Sequence, residues 1–278
     1  MAQSGLYLVA TPIGNLEDIS YRAVRILTEA DLIAAEDTRH SRTLLAHYGI
    51  GTPLMSLHEH NETQVLDRIV GLVSTGKAVA LISDAGTPVI SDPGYKLVCA
   101  LREAGLPLFT VPGASAITAA LSVAGLPPDR FAFEGFLPAK PTARRKKLEE
   151  LRDETRTLVF FESSHRIQSA IADMGEVLGE TRLAAVCREL TKKFETVLRA
   201  PLLEIAQTLD EDPDQTRGEF VVLIEGQVRD GDEAMLSARQ LATELLEYLP
   251  ASQASRVAAK LHGVSRRDVY AALYSDPG

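Results

Sequence analysis

Short apolar runs alternate with segments of helical periodicity through the first half of the chain, and this alternation constrains the fold more than any other feature. The predicted strands are the runs LYLVAT, LIAAED, PLMSL, AVALIS and PLFTV. Helices are predicted from about Tyr21, through Thr43 to Tyr48, and from Asn61, Asp92 and Ala114. Because two parallel strands need a crossover between them, usually a helix, the pattern predicts an α/β fold with a largely parallel, doubly wound sheet.

A proline-rich break separates this unit from a second one. The stretch VAGLPPDR, Val123 to Arg130, carries a glycine and two prolines that neither a helix nor a central strand accommodates. Beyond it, FAFEGF, TLVFFES, LAAVCREL and GEFVVLIEG predict the strands of a second α/β unit. We therefore expect an N-terminal α/β domain over residues 1–122, a second α/β domain over 123–230 and a tail over 231–278.

The tail that follows QVRDGDEA shows a helical pattern only. Its predicted helices are Ser237–Tyr248, Ser252–Lys260 and Ser265–Tyr274. With Gly263 in the turn between the last two, this order has the outline of a helix-turn-helix, in which Arg266 and Arg267 begin the groove-contacting helix. Many helix pairs share this outline without binding anything. The tail from Ala251 onward is net positive on an acidic protein, which favours a contact with RNA.

The overall charge limits the kinds of partner that the chain can have. Its 278 residues carry a formal net charge of -9, with a pI near 5.3. Nonspecific phosphate binding needs a basic surface, so this charge argues against a protein that binds nucleic acid over its whole face.

The cysteines and the apolar runs indicate the compartment. Cys99 and Cys187, the two cysteines of the sequence, lie far apart, which predicts buried free thiols in a reducing compartment. Without a signal-peptide pattern or a run long enough to span a bilayer, the sequence predicts a cytoplasmic protein that has no membrane contact.

Three loops of small residues follow predicted strands of the first domain. They are ATPIGN after the first strand, SDAGTP after the fourth and VPGASA after the fifth. Because ligands bind at the carboxyl ends of strands in open α/β sheets, these loops predict a shared cleft. None has the spacing of a dinucleotide or phosphate loop, so bound NAD and ATP have no support in the sequence.

Two aspartates in the stretch SDAGTPVISDPG invite different interpretations. Asp84 either accepts hydrogen bonds from a ligand or closes an Asx turn, and the stretch alone favours neither. Asp92 is predicted to cap a helix that has Pro93 at its first position. The second aspartate therefore has a structural explanation in the sequence.

Eight motifs in order carry a resemblance to a known family. They are LYLVATPIGNLEDIS, AAEDTRHSRTLL, HEHNE, SDAGTPVISDPG, VPGASA, FFESSHR, RELTKKFE and GEFVVLIEG. From about Leu6 to Gly226 the chain resembles the ribosomal RNA small subunit 2'-O-ribose methyltransferase I family, of the tetrapyrrole-methylase-like class. Ser164 departs from the usual proline of that family, which loosens the turn that places His165 and Arg166.

The resemblance implies two α/β domains of the tetrapyrrole methylase type with S-adenosylmethionine in the cleft between them, and a homodimer. It also implies methyl transfer to the ribose 2'-hydroxyl of a cytidine in small-subunit (16S) ribosomal RNA, either free or in the assembled 30S subunit. By motif position, the donor-binding residues would be Pro12, Ile13 and Gly14 at its methyl end, Asp84, Gly86 and Thr87 at its polar part, Ser115 and Ala116 through their backbone, and Phe161 and Leu190 over the adenosine.

The proton acceptor is open at this stage, although a ribose hydroxyl is a poor nucleophile that a general base would help. The matched motifs offer Glu36, Asp37, Glu162, Glu189 and Lys192, of which Lys192, Glu162 and Glu189 are our candidates for catalysis. Lys192 can serve only if burial or a neighbouring cation such as Lys193 lowers its pKa. Contact of both lysines with RNA phosphate is an equal alternative.

The segment LHEHNE places His58, Glu59, His60 and Glu62 close together, which invites a metal interpretation. In a continuing strand the two histidines would lie on opposite faces, and no third group of ligands is evident. We therefore expect no metal here. An RNA-facing or dimer-facing loop is the preferred interpretation, with a solvated turn as the next.

A basic segment, KPTARRKK, favours a local contact with RNA. Five of its eight residues are basic, namely Lys140, Arg144, Arg145, Lys146 and Lys147. If Thr142 caps the following helix, these cations occupy first turns where the helix dipole prefers anions. Phosphate binding supplies a reason for that placement, and a plain basic surface helix is the alternative.

Two rival functions remain possible at this stage. A tetrapyrrole C-methyltransferase of the same fold would explain the three loops, but neither KPTARRKK nor the basic tail. A non-enzymatic nucleic-acid binder would explain the helix-turn-helix, but would leave the predicted cleft without a role.

Overall fold

The computed structural model describes residues 2–58, 61–227 and 230–274. Its first sheet has the strands β1 (Gly5–Val9), β2 (Leu32–Ala35), β3 (Leu54–Ser56), β4 (Ala78–Ile82) and β5 (Leu108–Val111). They are ordered β3-β2-β4-β1-β5, and every pair is parallel. Between and after them run α1 (Tyr21–Glu29), α2 (Thr38–His47), α3 (Glu62–Ser74), α4 (Tyr95–Glu103) and α5 (Ala116–Val123). The predicted parallel α/β fold is confirmed.

The order of the strands brings the ends of β4, β1 and β5 side by side. β1 pairs with β4 on one side and with β5 on the other. All five residues of β4 are buried, as expected for a parallel strand covered by helices on both faces. The three small-residue loops therefore leave the sheet at neighbouring positions along one edge.

The second sheet is mixed rather than mainly parallel. Its strands are β6 (Phe131–Phe136), β7 (Thr157–Ser163), β8 (Leu183–Arg188), β9 (Thr196–Pro201) and β10 (Glu219–Ile224), in the order β6-β7-β10-β8-β9. Only β6 and β7 are parallel among these described pairs. The helices α6 (Pro141–Glu150), α7 (Ile167–Leu178) and α8 (Leu202–Glu211) belong to this unit. The sequence did not predict β9, an edge strand that pairs with β8 and contains Arg199 and Pro201.

Helix α5 joins the two sheets, because it follows β5 of the first sheet and packs on the second. Its residues Ile117, Ala120 and Leu121 share a buried cluster with residues of β7, β8 and β10. Ile13 and Phe161 pack at the margin of the same cluster. Helix α5 therefore connects the two α/β units through apolar contacts with the second sheet.

The tail forms a small helical unit with its own core. Its helices are α9 (Asp230–Leu245), α10 (Ala251–His262) and α11 (Arg266–Ala272). Ala238, Ala242, Ala258 and Val269 are buried against one another. Gly263 ends α10 with φ at 67°, a left-handed conformation that glycine adopts at little cost. Within the described residues, no helix has both the length and the apolar character needed to cross a bilayer.

Several helices begin elsewhere than the sequence predicted: α2 begins at Thr38 rather than Thr43, and α9 at Asp230 rather than Ser237. Two further starts change the role assigned to a residue. Helix α4 starts at Tyr95, not at Asp92, because the buried Glu62 carboxylate accepts hydrogen bonds from the backbone N–H groups of Gly94 and Lys96 at 3.2 and 3.1 Å. Helix α6 starts at Pro141 with Lys140 at its cap position, so Thr142 lies inside the helix. The capping role assigned to Asp92 was wrong.

Arg144 is a core residue, which corrects its prediction as an RNA contact. Its side chain is 3% exposed, and its Nε donates to Asp173 Oδ2 at 2.5 Å. Arg145 donates to the other oxygen of Asp173 at 2.7 Å and to Glu176 at 2.7 Å. The pattern KPTARRKK did not distinguish these roles, since the partner carboxylates lie on α7, far away in the sequence.

We predict that Asp173→Ala lowers the free energy of unfolding by about 3–5 kcal/mol, because it leaves the buried guanidinium of Arg144 without its carboxylate. Chemical denaturation followed by circular dichroism measures the change. Glu176→Ala is the matched control, since that exposed carboxylate pairs with the exposed side of Arg145 and should change stability little. Equal stability of Asp173→Ala and the wild type would contradict the assignment.

Candidate active site

A cavity of about 520 Å³ lies where the carboxyl ends of β1, β4 and β5 face the second sheet. The first sheet and α5 contribute Ile13, Glu36, Asp84, Ala85, Gly86, Thr87, Ile90, Ser91, Asp92, Ser115, Ala116 and Ile117. The second sheet and its loops contribute Phe136, Phe161, Glu162, Ser163, Ser164, Cys187, Leu190, Gly218, Glu219, Phe220 and Val221. This donor-side cavity, as we name it, therefore draws its walls from both α/β units.

The three loops of the first domain are tied together by main-chain contacts. Thr11 and Gly86 exchange backbone hydrogen bonds of 2.8 and 3.0 Å. Gly86 has φ at 79°, and a Cβ there would lie 3.3 Å from the side chain of Ile13. Thr87 Oγ1 donates to the carbonyl of Ala114 at 3.2 Å. These bonds tie the three loops together, and glycine is favoured at position 86, where the loops after β1 and β4 cross.

Asp84 fixes the start of the neighbouring helix. The backbone N–H of Asp37, the cap residue of α2, donates to Asp84 Oδ1 at 3.0 Å. This bond crosses between two loops, so the Asx-turn interpretation does not describe it. The half-buried carboxylate also lines the cavity, where its second oxygen can face a ligand.

Asp92 is a site residue that the sequence did not identify. It is partly buried, lines the donor-side cavity and hydrogen-bonds with the side chain of Ser83. Burial, together with the nearby charge of Asp84, raises the pKa of Asp92. The signal that could have found it is the repeated Ser-Asp in SDAGTPVISDPG, which we explained as a helix cap.

The amino end of α5 presents backbone donors to the same cavity. Ser115 is the cap residue, yet no side chain accepts a bond from the first turn. Ser115, Ala116 and Ile117 all line the cavity. Unsatisfied N–H groups at a helix start, together with the positive end of the dipole, favour an anionic group there.

Aromatic and aliphatic side chains form the opposite wall. The ring of Phe161 packs edge to face with those of Phe133 and Phe136, at centroid distances of 4.8 and 5.6 Å. Leu190 completes this wall from the loop after β8.

Burial raises the pKa of Cys187, which also lines the cavity, to about 12, so its thiol is neutral. The other cysteine, Cys99, is only half-buried.

Glu162 lines the donor-side cavity, but its carboxylate has a structural role. Its side chain is fully buried, with one oxygen accepting from the N–H of Ser163 at 2.8 Å and the other paired with Arg166 at 3.2 Å. Arg166 is also held by the carbonyl of Leu137. Because both oxygens are engaged, the structure speaks against Glu162, one of our three candidates, as the general base. Arg166 keeps these two partners although residue 164 is a serine.

A second cavity of about 330 Å³ adjoins the first. The two share Ile13, Asp84, Ala85 and Glu219. The remaining lining residues are Thr11, Pro12, Gly14, Leu16, His40, Ser41, Thr43, Leu44, Ser83 and Lys192. We call it the acceptor-side cavity; the Pro12–Gly14 loop lines it, and Ile13 of that loop lines both cavities.

Lys192 is a cation at the border of this cavity. Its Nζ donates to Glu189 Oε1 and to Glu219 Oε2, each at 2.8 Å. Burial alone would lower the pKa of Lys192, but these two carboxylates outweigh it and raise that pKa. Lys193 points elsewhere, 5.4 Å from the ring centroid of Phe194. The lowered pKa that a lysine base requires is therefore absent, and the base assigned to Lys192 is not supported.

The backbone around Lys192 is strained. Glu189 and Thr191 have φ at 52° and 66°, which non-glycine residues rarely adopt. Burial opposes ionisation of Glu189, but hydrogen bonds from Lys192 and from the backbone of Glu219 lower its pKa, so this carboxylate is a weakened proton acceptor. Lys192 also packs so closely on Gly14 that a Cβ there would lie 2.5 Å from its Cγ. Strain of this kind costs about 1–3 kcal/mol per residue and is concentrated at functional sites.

The other predicted residues are distributed around these cavities. Glu36 lines the donor-side cavity, and Asp37 caps α2 with its pKa lowered by the Arg39 guanidinium. Lys147 pairs with Glu134 at 2.9 Å, while Lys140 and Lys146 are exposed. Arg266 and Arg267 are exposed on the first turn of α11. Glu59 and His60 lie outside the described residues.

Comparison with known proteins agrees with this architecture. Residues 5–206 match the family described as Tetrapyrrole (Corrin/Porphyrin) Methylases, and residues 232–275 match the RsmI C-terminal HTH domain. Among solved structures, a cobalt precorrin-4 methyltransferase has a TM-score of 0.59 at 17% identity, covering 79% of this chain and 94% of its own. Uroporphyrin-III-C-methyltransferase from Thermus thermophilus has a TM-score of 0.56 at 21% identity, covering 80% and 94%. At these identities the likeness shows the fold alone.

Sequence relatives are much closer. The protein named Ribosomal RNA small subunit methyltransferase I of Xylella fastidiosa (strain Temecula1) is 50% identical over 265 residues, 95% of this chain and 97% of the relative. The proteins of the same name from Pseudomonas aeruginosa and Escherichia coli O157:H7 are 49% and 46% identical, over 97% of this chain and 96% and 94% of theirs. The chain therefore belongs to the tetrapyrrole methylase family and, within it, to the ribosomal RNA small subunit methyltransferase I proteins.

Proposed function

We propose that the protein transfers a methyl group from S-adenosylmethionine to the ribose 2'-hydroxyl of a cytidine in small-subunit ribosomal RNA. The observation that carries this proposal is the pair of adjoining cavities. They share a wall at Ile13, Asp84 and Ala85, so two reactants can meet there. Methyl transfer between two substrates needs such proximity, since much of its catalysis is alignment.

The residues of the donor-side cavity suit S-adenosylmethionine. Its volume of about 520 Å³ is in the range of small-molecule sites. The free N–H groups at Ser115 and Ala116 would receive the carboxylate of the donor, and the Asp84 carboxylate would receive a cationic or hydroxyl group. Phe161 and Leu190 offer the apolar surface that an adenosine requires. When bound, S-adenosylmethionine supplies a methyl group on a positively charged sulfur.

Pro12, Ile13 and Gly14 would border the methyl end of the donor. This short loop lines the acceptor-side cavity, with Ile13 lining both cavities, and Lys192 covers Gly14 from the second domain. A side chain at position 14 would collide with Lys192. The close packing of this loop against Lys192 therefore requires glycine at position 14. Its role is to keep the reacting groups aligned and to exclude other molecules.

RNA would reach the site through local basic groups on an acidic protein. Lys140 and Lys146 are exposed on α6, and Arg266 and Arg267 on α11. Arg145 and Lys147 are ion-paired, so we expect weaker contributions from them. We also propose the cytoplasmic location and the homodimer that the resemblance implies, and the division into domains at residues 122 and 230.

Transfer of label from tritiated S-adenosylmethionine tests the function. We predict methylation of small-subunit ribosomal RNA, supplied as free RNA or as assembled subunits, and nuclease digestion with mass spectrometry should locate the methyl on a cytidine ribose. Uroporphyrinogen serves as the rival acceptor. Label in uroporphyrinogen and none in RNA would favour the tetrapyrrole activity, and binding of RNA without any transfer would favour a non-enzymatic binder.

We predict that Asp84→Ala weakens S-adenosylmethionine binding by on the order of 10- to 100-fold, since a hydrogen bond to a charged group contributes about 1.5–3 kcal/mol. Isothermal titration calorimetry measures the affinity. Asp84→Asn is the matched control, because an amide oxygen can still accept from the N–H of Asp37 and so keeps α2 in place. Donor affinity within twofold of the wild type in both variants would remove Asp84 from the binding site.

We predict that a chain ending at Gln227 keeps its affinity for S-adenosylmethionine but methylates ribosomal RNA poorly. The donor-side cavity lies wholly before this residue, and the buried cluster of the tail involves only tail residues. Thermal denaturation and calorimetry show whether the truncated chain is folded and binds donor. A joint loss of stability and donor binding, or full activity on the ribosomal substrate, would contradict this division of roles.

A further inference from the structure

The acceptor-side cavity lacks an assigned proton acceptor, and the candidates named from the sequence do not provide one. Lys192 has a raised pKa, and Glu189 a lowered one. Glu162 is engaged at both oxygens and borders only the donor-side cavity. Glu36 also borders only that cavity, and Asp37 borders neither.

His40 lies in this cavity with a side chain suited to the task. It occupies the first turn of α2, is exposed to solvent and lines the cavity. Histidine is the commonest general base in enzymes. Exposure matters here, because a ribose within an RNA chain must reach the group from solvent.

The start of α2 is held firmly against the shared wall. The Asp37 N–H bonds to Asp84 at 3.0 Å, and the buried Ser41 hydroxyl donates to the carbonyl of Asp37 at 3.0 Å. The backbone that carries His40 is therefore anchored to the Asp84 loop, which borders both cavities. A general base needs this kind of fixed placement relative to the hydroxyl that it serves.

We propose that the acceptor-side cavity receives the ribose of the target nucleotide and that His40 accepts the proton of its 2'-hydroxyl. The inference rests on the proposed function. The proton passes from the hydroxyl to a neutral imidazole nitrogen, while the hydroxyl oxygen forms a bond to the methyl carbon of S-adenosylmethionine. The carbon–sulfur bond breaks with its electron pair left on sulfur, which becomes a neutral thioether, and the imidazolium releases its proton to water.

The charged groups around His40 come from both sheets and from its own helix. Asp84, Lys192 and Glu219 face the cavity from the loops of the two sheets. Arg39 and Arg42 lie on its own helix and are exposed. Lys192, held as an ammonium by Glu189 and Glu219, is a hydrogen-bond donor at the edge of the same space.

Single-turnover kinetics of His40→Gln test the assignment. The expected loss is about 10²- to 10⁴-fold in the rate of methyl transfer, with donor affinity within twofold of the wild type. The wild-type rate should fall when the pH is lowered far enough to protonate the base, and the variant should lose this dependence. His47→Gln, on the same helix but outside the cavity, should keep the wild-type rate and pH profile.

Chemical modification supplies a readout that does not depend on activity. Diethyl pyrocarbonate should modify both His40 and His47 of the wild-type protein, since both are exposed, and peptide mass spectrometry measures each. Bound ribosomal RNA or small subunits should protect His40 severalfold and leave His47 reactive. Unchanged reactivity of His40 under saturating substrate, or a wild-type rate and pH profile in His40→Gln, would overturn the inference. If the wild type transfers no label to ribosomal RNA, the proposed function itself fails.

Discussion

Parallel pairing of β1 with β4 and β5 is the constraint on which the rest of the site depends. It places three strand ends side by side, and the loops that leave them are short and made of small residues. The mutual backbone bonds of Thr11 and Gly86 then lock two of these loops together. The residues of the second sheet that line the donor-side cavity face this edge. Helix α5 packs against the second sheet and so connects the two units.

The general outline could be predicted from sequence because it depends on local patterns. Alternation of strands and helices gave the parallel sheet, and the small-residue loops gave the edge at which cavities form. Gly263, between two helical patterns, gave the turn of the tail. Each of these features is encoded within a few consecutive residues, so no knowledge of distant partners was required.

What could not be predicted depends on partners far away in the chain. Asp92 resembled a helix cap, but Glu62 of α3 performs that role and leaves Asp92 in the cavity. Arg144 resembled a surface cation, but Asp173 of α7 draws it into the core. The edge strand β9 has no long apolar run by which the sequence could reveal it. Its pairing with β8 is what makes it a strand. The raised pKa of Lys192 likewise depends on Glu189 and on Glu219, the second of which is remote in sequence.

The close packing of glycines in the loops after β1, β4 and β5 has a consequence for how such a protein can diverge. At Gly14, Gly86 and Gly113 an added Cβ would come within 2.5 to 3.3 Å of a neighbouring atom, so few substitutions there can be accepted singly. By contrast, His40, Arg42 and Thr43 of α2 are exposed to solvent. Change at the edge of the first sheet therefore needs compensating changes in neighbouring loops, whereas the exposed face of α2 can change one residue at a time.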